Sequence, residues 1–164
     1  MIIKSYSKIN LYLRIIKKLK NGLHDIHSNV FLISLHDNII IKKINKKKDI
    51  IIFNGKFNKN IKKNNNSVVK TLKILRKLKV IINQRYKIII NKKILIFAGL
   101  GGGTSNSAFL IKYFLRKNPN LKTIKIFEKI IGSDLKLFFN NQSYQKNLKK
   151  IIRYKKKFIF YFLL

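Results

Sequence analysis

Four of the chain's seven glycines fall within five residues, in the stretch Ala98-Gly99-Leu100-Gly101-Gly102-Gly103-Thr104-Ser105-Asn106-Ser107-Ala108. The apolar run Ile94-Leu95-Ile96-Phe97 precedes it, and Phe109-Leu110-Ile111-Lys112-Tyr113-Phe114-Leu115 follows as a helix candidate. Glycine at this density permits positive φ and lets backbone N–H groups approach a ligand that a Cβ would hold off. Thr104, Ser105 and Asn106 suit a helix N-terminus, where the first amides lack intrahelical partners. A glycine-rich turn running into such a helix start is an anion site, and phosphate is its commonest occupant. A flexible surface loop is the competing reading, but linkers seldom end on a helix start between two apolar elements.

The spacing separates this stretch from other phosphate loops. No Lys follows the last glycine, as GxxxxGK[ST] would require. A dinucleotide fingerprint needs an acid about 20 residues downstream. Glu128 lies near that distance, but within a helical pattern.

Gly99 to Ala108 resembles the ATP-phosphate loop of the GHMP kinases. Ser7-Lys8-Ile9-Asn10-Leu11 resembles that family's AKINL motif, and Ile131-Gly132-Ser133-Asp134 its LGAD motif, so three motifs stand in the family's order over residues 5 to 139. The tripled glycine before Thr-Ser-Asn resembles the branch that acts on a cytidine-diphosphate-linked methylerythritol. The resemblance implies an α+β fold like the family's N-terminal lobe (ribosomal protein S5 domain 2-like), a mostly antiparallel sheet with helices on one side. It implies phosphoryl transfer from ATP, with Mg²⁺, to the 2-hydroxyl of that substrate, in isoprenoid biosynthesis.

Carried over residue by residue, the resemblance makes Lys8 a charge-stabilising catalytic residue and Asp134 the base for the attacking hydroxyl. Asn10 would position the substrate and His24 would hydrogen-bond its cytosine. Gly99, Leu100, Gly101, Gly102, Gly103, Thr104, Ser105 and Asn106 would hold the triphosphate, with Ser105 the expected metal or phosphate contact. Three positions depart from the family pattern: Leu23 stands for a Tyr, Leu95 for a proline opening the loop, and Lys136 for a proline after the acid. A leucine at 23 forgoes base stacking, worth about 1–3 kcal/mol.

The 164 residues, 46% hydrophobic, suffice for one domain with a core. The formal charge of +33 would suit a nucleic-acid binder. The lysines, however, are spread over the whole chain beside abundant Asn and Ile, which matches AT-rich coding, and no RNA-binding aromatic signature or zinc-finger spacing accompanies them. No specific nucleic-acid partner is expected. The absence of cysteine leaves no disulfide framework and fits a cytoplasmic protein. The short N-terminal apolar run does not make a signal peptide, no stretch approaches the roughly 18 apolar residues of a spanning helix, and no membrane partner is expected.

In chain order, residues 2 to 16 read as a strand, the motif and another strand. Lys8 and Asn10, two apart, share one face of an extended segment. Asn21-Gly22 signals a hairpin. Residues 28 to 44 read as two strands and 49 to 53 as another, and the Lys/Asn-rich 54 to 66 as a mobile loop. Asn66-Ser67 can cap a helix bearing Val68, Leu72, Leu75 and Leu78 on one face. Residues 85 to 90 form the strand leading to the glycine loop. Asn118-Pro119 breaks the chain before a helix over 121 to 131 that ends at Gly132. His27 and His36 are surface or packing residues, since no metal-ligand spacing accompanies them or Asp37.

The expected organisation is an ATP-binding domain over residues 1 to 150, with 151 to 164 opening a second lobe that the chain lacks. The apolar tail over 158 to 164 reads as a strand of that lobe or an exposed hazard. Two alternatives stand beside the kinase reading: another GHMP small-molecule kinase, and a non-catalytic remnant that binds nucleotide or polyanions.

Overall fold

The computed structural model describes residues 2–20, 22, 24–59, 61–147 and 150–161. Its strands are β1 (Ile2–Lys18), β2 (His24–Ile44), β3 (Ile50–Asn54), β4 (Arg85–Asn91), β5 (Gln142–Gln145) and β6 (Ile151–Arg153). Its helices are α1 (Ser67–Lys77), α2 (Gly102–Leu115) and α3 (Leu121–Ile131), followed by a 3-10 turn, Ser133–Phe139. The sheet runs β3-β4-β2-β5-β6, with β1 paired to β2. All pairs are antiparallel except β3 with β4.

Apolar residues two apart on neighbouring strands build the core, because alternate side chains of a strand share a face. Phe53, Ile90, Ile39 and Ile3 stand in register across four strands, and Ile51, Ile88 and Ile41 form the next row. Ile39, Ile41, Ile88 and Ile90 are buried and pack with Leu72 and Leu75 of α1, Leu110 and Ile111 of α2, and Phe127 of α3. Each such side chain contributes about 1.5–3 kcal/mol on burial. The helices therefore lie on one face of a mostly antiparallel sheet, the expected α+β arrangement.

Local signals place the helix starts. Asn66 Oδ1 accepts from Val69 N at 3.0 Å and caps α1, while Asn120 Oδ1 accepts from Thr123 N at 2.9 Å and caps α3. Gly132 closes α3 with φ 129°, a conformation that favours glycine.

The strand count differs from the sequence reading. Residues 2–18 form a single strand with the 7–11 motif inside it, and 24–44 form a single strand rather than two. Register shifts between Tyr6 and Lys8, Asn10 and Tyr12, and Ile15 and Lys17 absorb the interruptions in the apolar pattern. Beyond residue 150, β6 pairs with β5 in the same sheet, and Phe160 packs edge-on to Phe31. Asn21 and Leu23 lie outside the described residues, as do Phe162, Leu163 and Leu164 of the tail. Among the described residues no helix is long and apolar enough to cross a membrane.

Candidate active site

The glycine loop is anchored from below before it turns. Asp37 sits on the inward face of β2, fully buried, and its carboxylate pairs with the ammonium of Lys92, itself buried. The same carboxylate accepts from Lys93 N at 2.8 Å and Ile94 N at 2.9 Å. One acid on the sheet thus fixes the segment that feeds the loop. A buried charge is tolerated only when paired and hydrogen-bonded, and both conditions hold here.

The turn uses positive φ at Gly99 (74°) and Gly101 (69°). At Gly101 a Cβ would stand 2.6 Å from Phe138 Cζ, so only glycine lets the loop pass the 3-10 turn. Helix α2 begins at Gly102, with Gly101 as its cap and no side-chain cap bond. Its first amides, those of Gly102, Gly103 and Thr104, are left for an external anion. The helix thus starts earlier than the Thr104–Asn106 cluster suggested, and that cluster forms its first turns. Lys92 Nζ lies 3.2 Å from where a Cβ on Gly102 would be, placing a buried cation beside the start of the helix.

The loop is also tied to β1. Lys8 N donates to Leu100 O at 3.0 Å. Lys8 Nζ donates to Asn10 Oδ1 at 2.6 Å and stands 3.7 Å from Asp134 Oδ2. The Lys8 side chain is 9% exposed and that of Asp134 is 47%. Asp134 is the second residue of the 3-10 turn that follows Gly132, and its carboxylate borders the cavity. That cavity, about 550 Å³, is bounded by Phe53, Lys92, Gly101, Gly102, Gly103, Thr104, Asn106 and Asp134, among others. Asn106 is 1% exposed, and its Oδ1 has no hydrogen-bond partner among the described residues. A larger groove, about 990 Å³, lies between β3 and α1 beside Asp49 and Arg76, but that pair is bidentate and braces α1. The chemistry-bearing groups converge at the loop cavity instead.

Two further predicted residues, Ser105 and His24, lie on α2 and β2. Ser105 is fully buried; its hydroxyl donates to Tyr6 O at 2.5 Å and lies 2.8 Å from Ser5 Oγ, and its N–H bonds Gly101 O. That hydroxyl pins α2 to β1, while the amide closes the first turn of the helix. His24 pairs with Lys18 at the end of the β1–β2 ladder opposite Ile2. His36 and His27 pack edge-on to Tyr6 and Tyr144, as packing residues would.

Lys136, at the position where the resemblance expects proline, stands 3.6 Å from Glu128 of α3. Burial pushes the Glu128 carboxyl up, and Lys136 opposes that shift. Asp37, Lys92 and Ser28 (described below) escaped the sequence reading. The available signal for Asp37 was an acid among Leu35, Ile39 and Ile41 on a strand's apolar face.

The fold, with its glycine loop at a helix start, is shared with solved small-molecule kinases. The solved 4-(cytidine 5'-diphospho)-2C-methyl-D-erythritol kinase matches with TM-score 0.65 at 21% identity, over 88% of this chain and 51% of that one. The mevalonate kinase of Methanococcus jannaschii matches with TM-score 0.60 at 23% identity, over 95% and 56%. In sequence the chain is similar to 4-diphosphocytidyl-2-C-methyl-D-erythritol kinases. That of Pelagibacter ubique is 45% identical over 124 residues, 76% of this chain and 42% of the relative. That of Thermosipho melanesiensis is 39% identical over 139 residues, 84% and 48%. The chain spans about half the length of the curated relatives it matches. No family model matches it.

Proposed function

We propose that this chain provides the ATP-binding half of a kinase that phosphorylates the 2-hydroxyl of 4-diphosphocytidyl-2-C-methyl-D-erythritol, a soluble cytoplasmic step of isoprenoid biosynthesis. The observation that carries the reading is one cavity bounded by the start of α2, Lys92 and Asp134, with the Lys8 ammonium 3.7 Å from the Asp134 carboxylate. Amides and buried cations accommodate a triphosphate, and phosphoryl transfer depends mainly on positioning and charge stabilisation.

In this reading Asp134 accepts the proton of the attacking hydroxyl as its oxygen bonds to the γ-phosphorus and the bond to the β-phosphate oxygen breaks, releasing ADP. Lys8 neutralises charge developing on the transferred group. Its ammonium is held by a neutral amide at 2.6 Å rather than by Asp134 at 3.7 Å, so the carboxylate keeps oxygens available for that proton. The donor set fits Mg²⁺ only as an ion carried on the nucleotide, with Asp134 the single carboxylate at hand, because no cluster of three His, Cys, Asp or Glu occurs among the described residues. When bound, the ion would supply neutralisation of phosphate charge.

The deciding measurement is ATP-dependent phosphorylation of the cytidylyl substrate by the full chain, with homoserine and mevalonate as competing alcohols. Asp134→Asn is expected to cut kcat by several orders of magnitude with ATP affinity retained. Preference for another alcohol would reassign the substrate. ATP binding without turnover on any of them, with the other half of the kinase supplied, would leave the chain a nucleotide-binding module.

A further inference from the structure

Ser28 of β2 is fully buried and lies outside the three motifs. Its hydroxyl carries one proton, which it donates at 2.7 Å to Tyr12 O, a group that can only accept. The Ser28 oxygen therefore meets Asn10 as an acceptor, and Asn10 turns its Nδ2 toward it at 2.6 Å. That rotation leaves Asn10 Oδ1 on the other side, where it accepts from Lys8 Nζ at 2.6 Å. The opposite rotation would set Oδ1 against a hydroxyl with no proton to give, and Nδ2 against an ammonium that has only protons. A single proton order therefore runs from Lys8 through Asn10 and Ser28 to the Tyr12 carbonyl. The register shift between Asn10 and Tyr12 falls between the two residues that Ser28 bridges, so the hydroxyl also pins an irregular part of the ladder.

We propose that Ser28 is a positioning residue that fixes the Asn10 amide and, through it, holds the Lys8 ammonium apart from Asp134. The consequence for phosphoryl transfer rests on the kinase reading above; the proton order does not. With the tether cut, Asn10 rotates and the ammonium closes on the carboxylate, which then loses oxygens it would use as a base.

The test is side-chain amide NMR on the ¹⁵N-labelled full chain without nucleotide, so its result is independent of kinase activity. Ser28→Ala is expected to speed exchange of the Asn10 side-chain protons by about tenfold, the worth of one buried hydrogen bond. Ser28→Thr, which keeps the hydroxyl, is expected to restore the wild-type signals. If Ser28→Ala fails to fold, Ser28→Cys, close in volume with a weak donor and acceptor, is read in the same way. Asn10 signals unmoved by loss of the hydroxyl, or a threonine variant that behaves like alanine, would overturn the assignment.

Discussion

Asp37 and Lys92 form a buried ion pair directly beneath the glycine loop, one partner on a central strand and the other at the loop's entry. Removing the cation alone leaves a carboxylate without its counter-charge in the core. Lys92→Met is therefore expected to destabilise the protein by about 3–5 kcal/mol, since breaking a buried pair costs more than forming it gains. Urea denaturation at neutral pH measures this. A midpoint equal to that of the wild type would show the pair to be energetically idle.

Gly99 and Gly101 both hold positive φ, but only Gly101 is also crowded. Gly99→Ala meets open space and should cost about 1–2 kcal/mol from backbone strain alone. Gly101→Ala adds a clash with Phe138, worth a further 1–3 kcal/mol or so, and should displace the loop. Equal stability losses in the two variants, read from thermal unfolding, would contradict this ordering.

Ser105→Ala separates a structural serine from a ligand-binding one. Its hydroxyl bonds Tyr6 O and neighbours Ser5, so the variant should lose about 1–3 kcal/mol of stability. ATP affinity with Mg²⁺, measured by calorimetry below the unfolding temperature, should stay close to wild type. A large affinity loss in a folded variant would return Ser105 to the binding site.

Glu128 makes a pH-dependent contribution whose sign is set by its raised pKa. Between the ordinary carboxyl value and the raised one, the native state holds more proton than the unfolded state, so stability falls as pH rises through that window. Glu128→Gln removes this proton uptake. Its unfolding midpoint should therefore depend less on pH than the wild type's across the mildly acidic range, as paired thermal scans would reveal; parallel curves would count against it.

Much of the site was legible in the residues because its determinants are local. Glycines at positive φ, the Asn66 and Asn120 caps and the Gly132 stop each act within a few residues of themselves. Lys8 and Asn10 share a face because alternate strand residues do, and the three motifs together pointed to Asp134. The apolar alternation of Ile39, Ile41, Ile88 and Ile90 likewise carried the sheet and its covered face.

Tertiary structure decided what depends on partners distant in the chain. Whether Ser105 faced a ligand or the core turned on β1 lying against α2, and a serine is equally at home in either place. The fusion of expected short strands into β1 and β2 followed from cross-strand pairing that carries bulges at little cost. The approach of Asp134 to Lys8, 3.7 Å apart, joins residues far apart in the chain. Asp37 with Lys92, and Ser28 with Asn10, became meaningful only when register and burial removed water from each pair. A polar side chain acquires a defined partner where solvent can no longer serve as one.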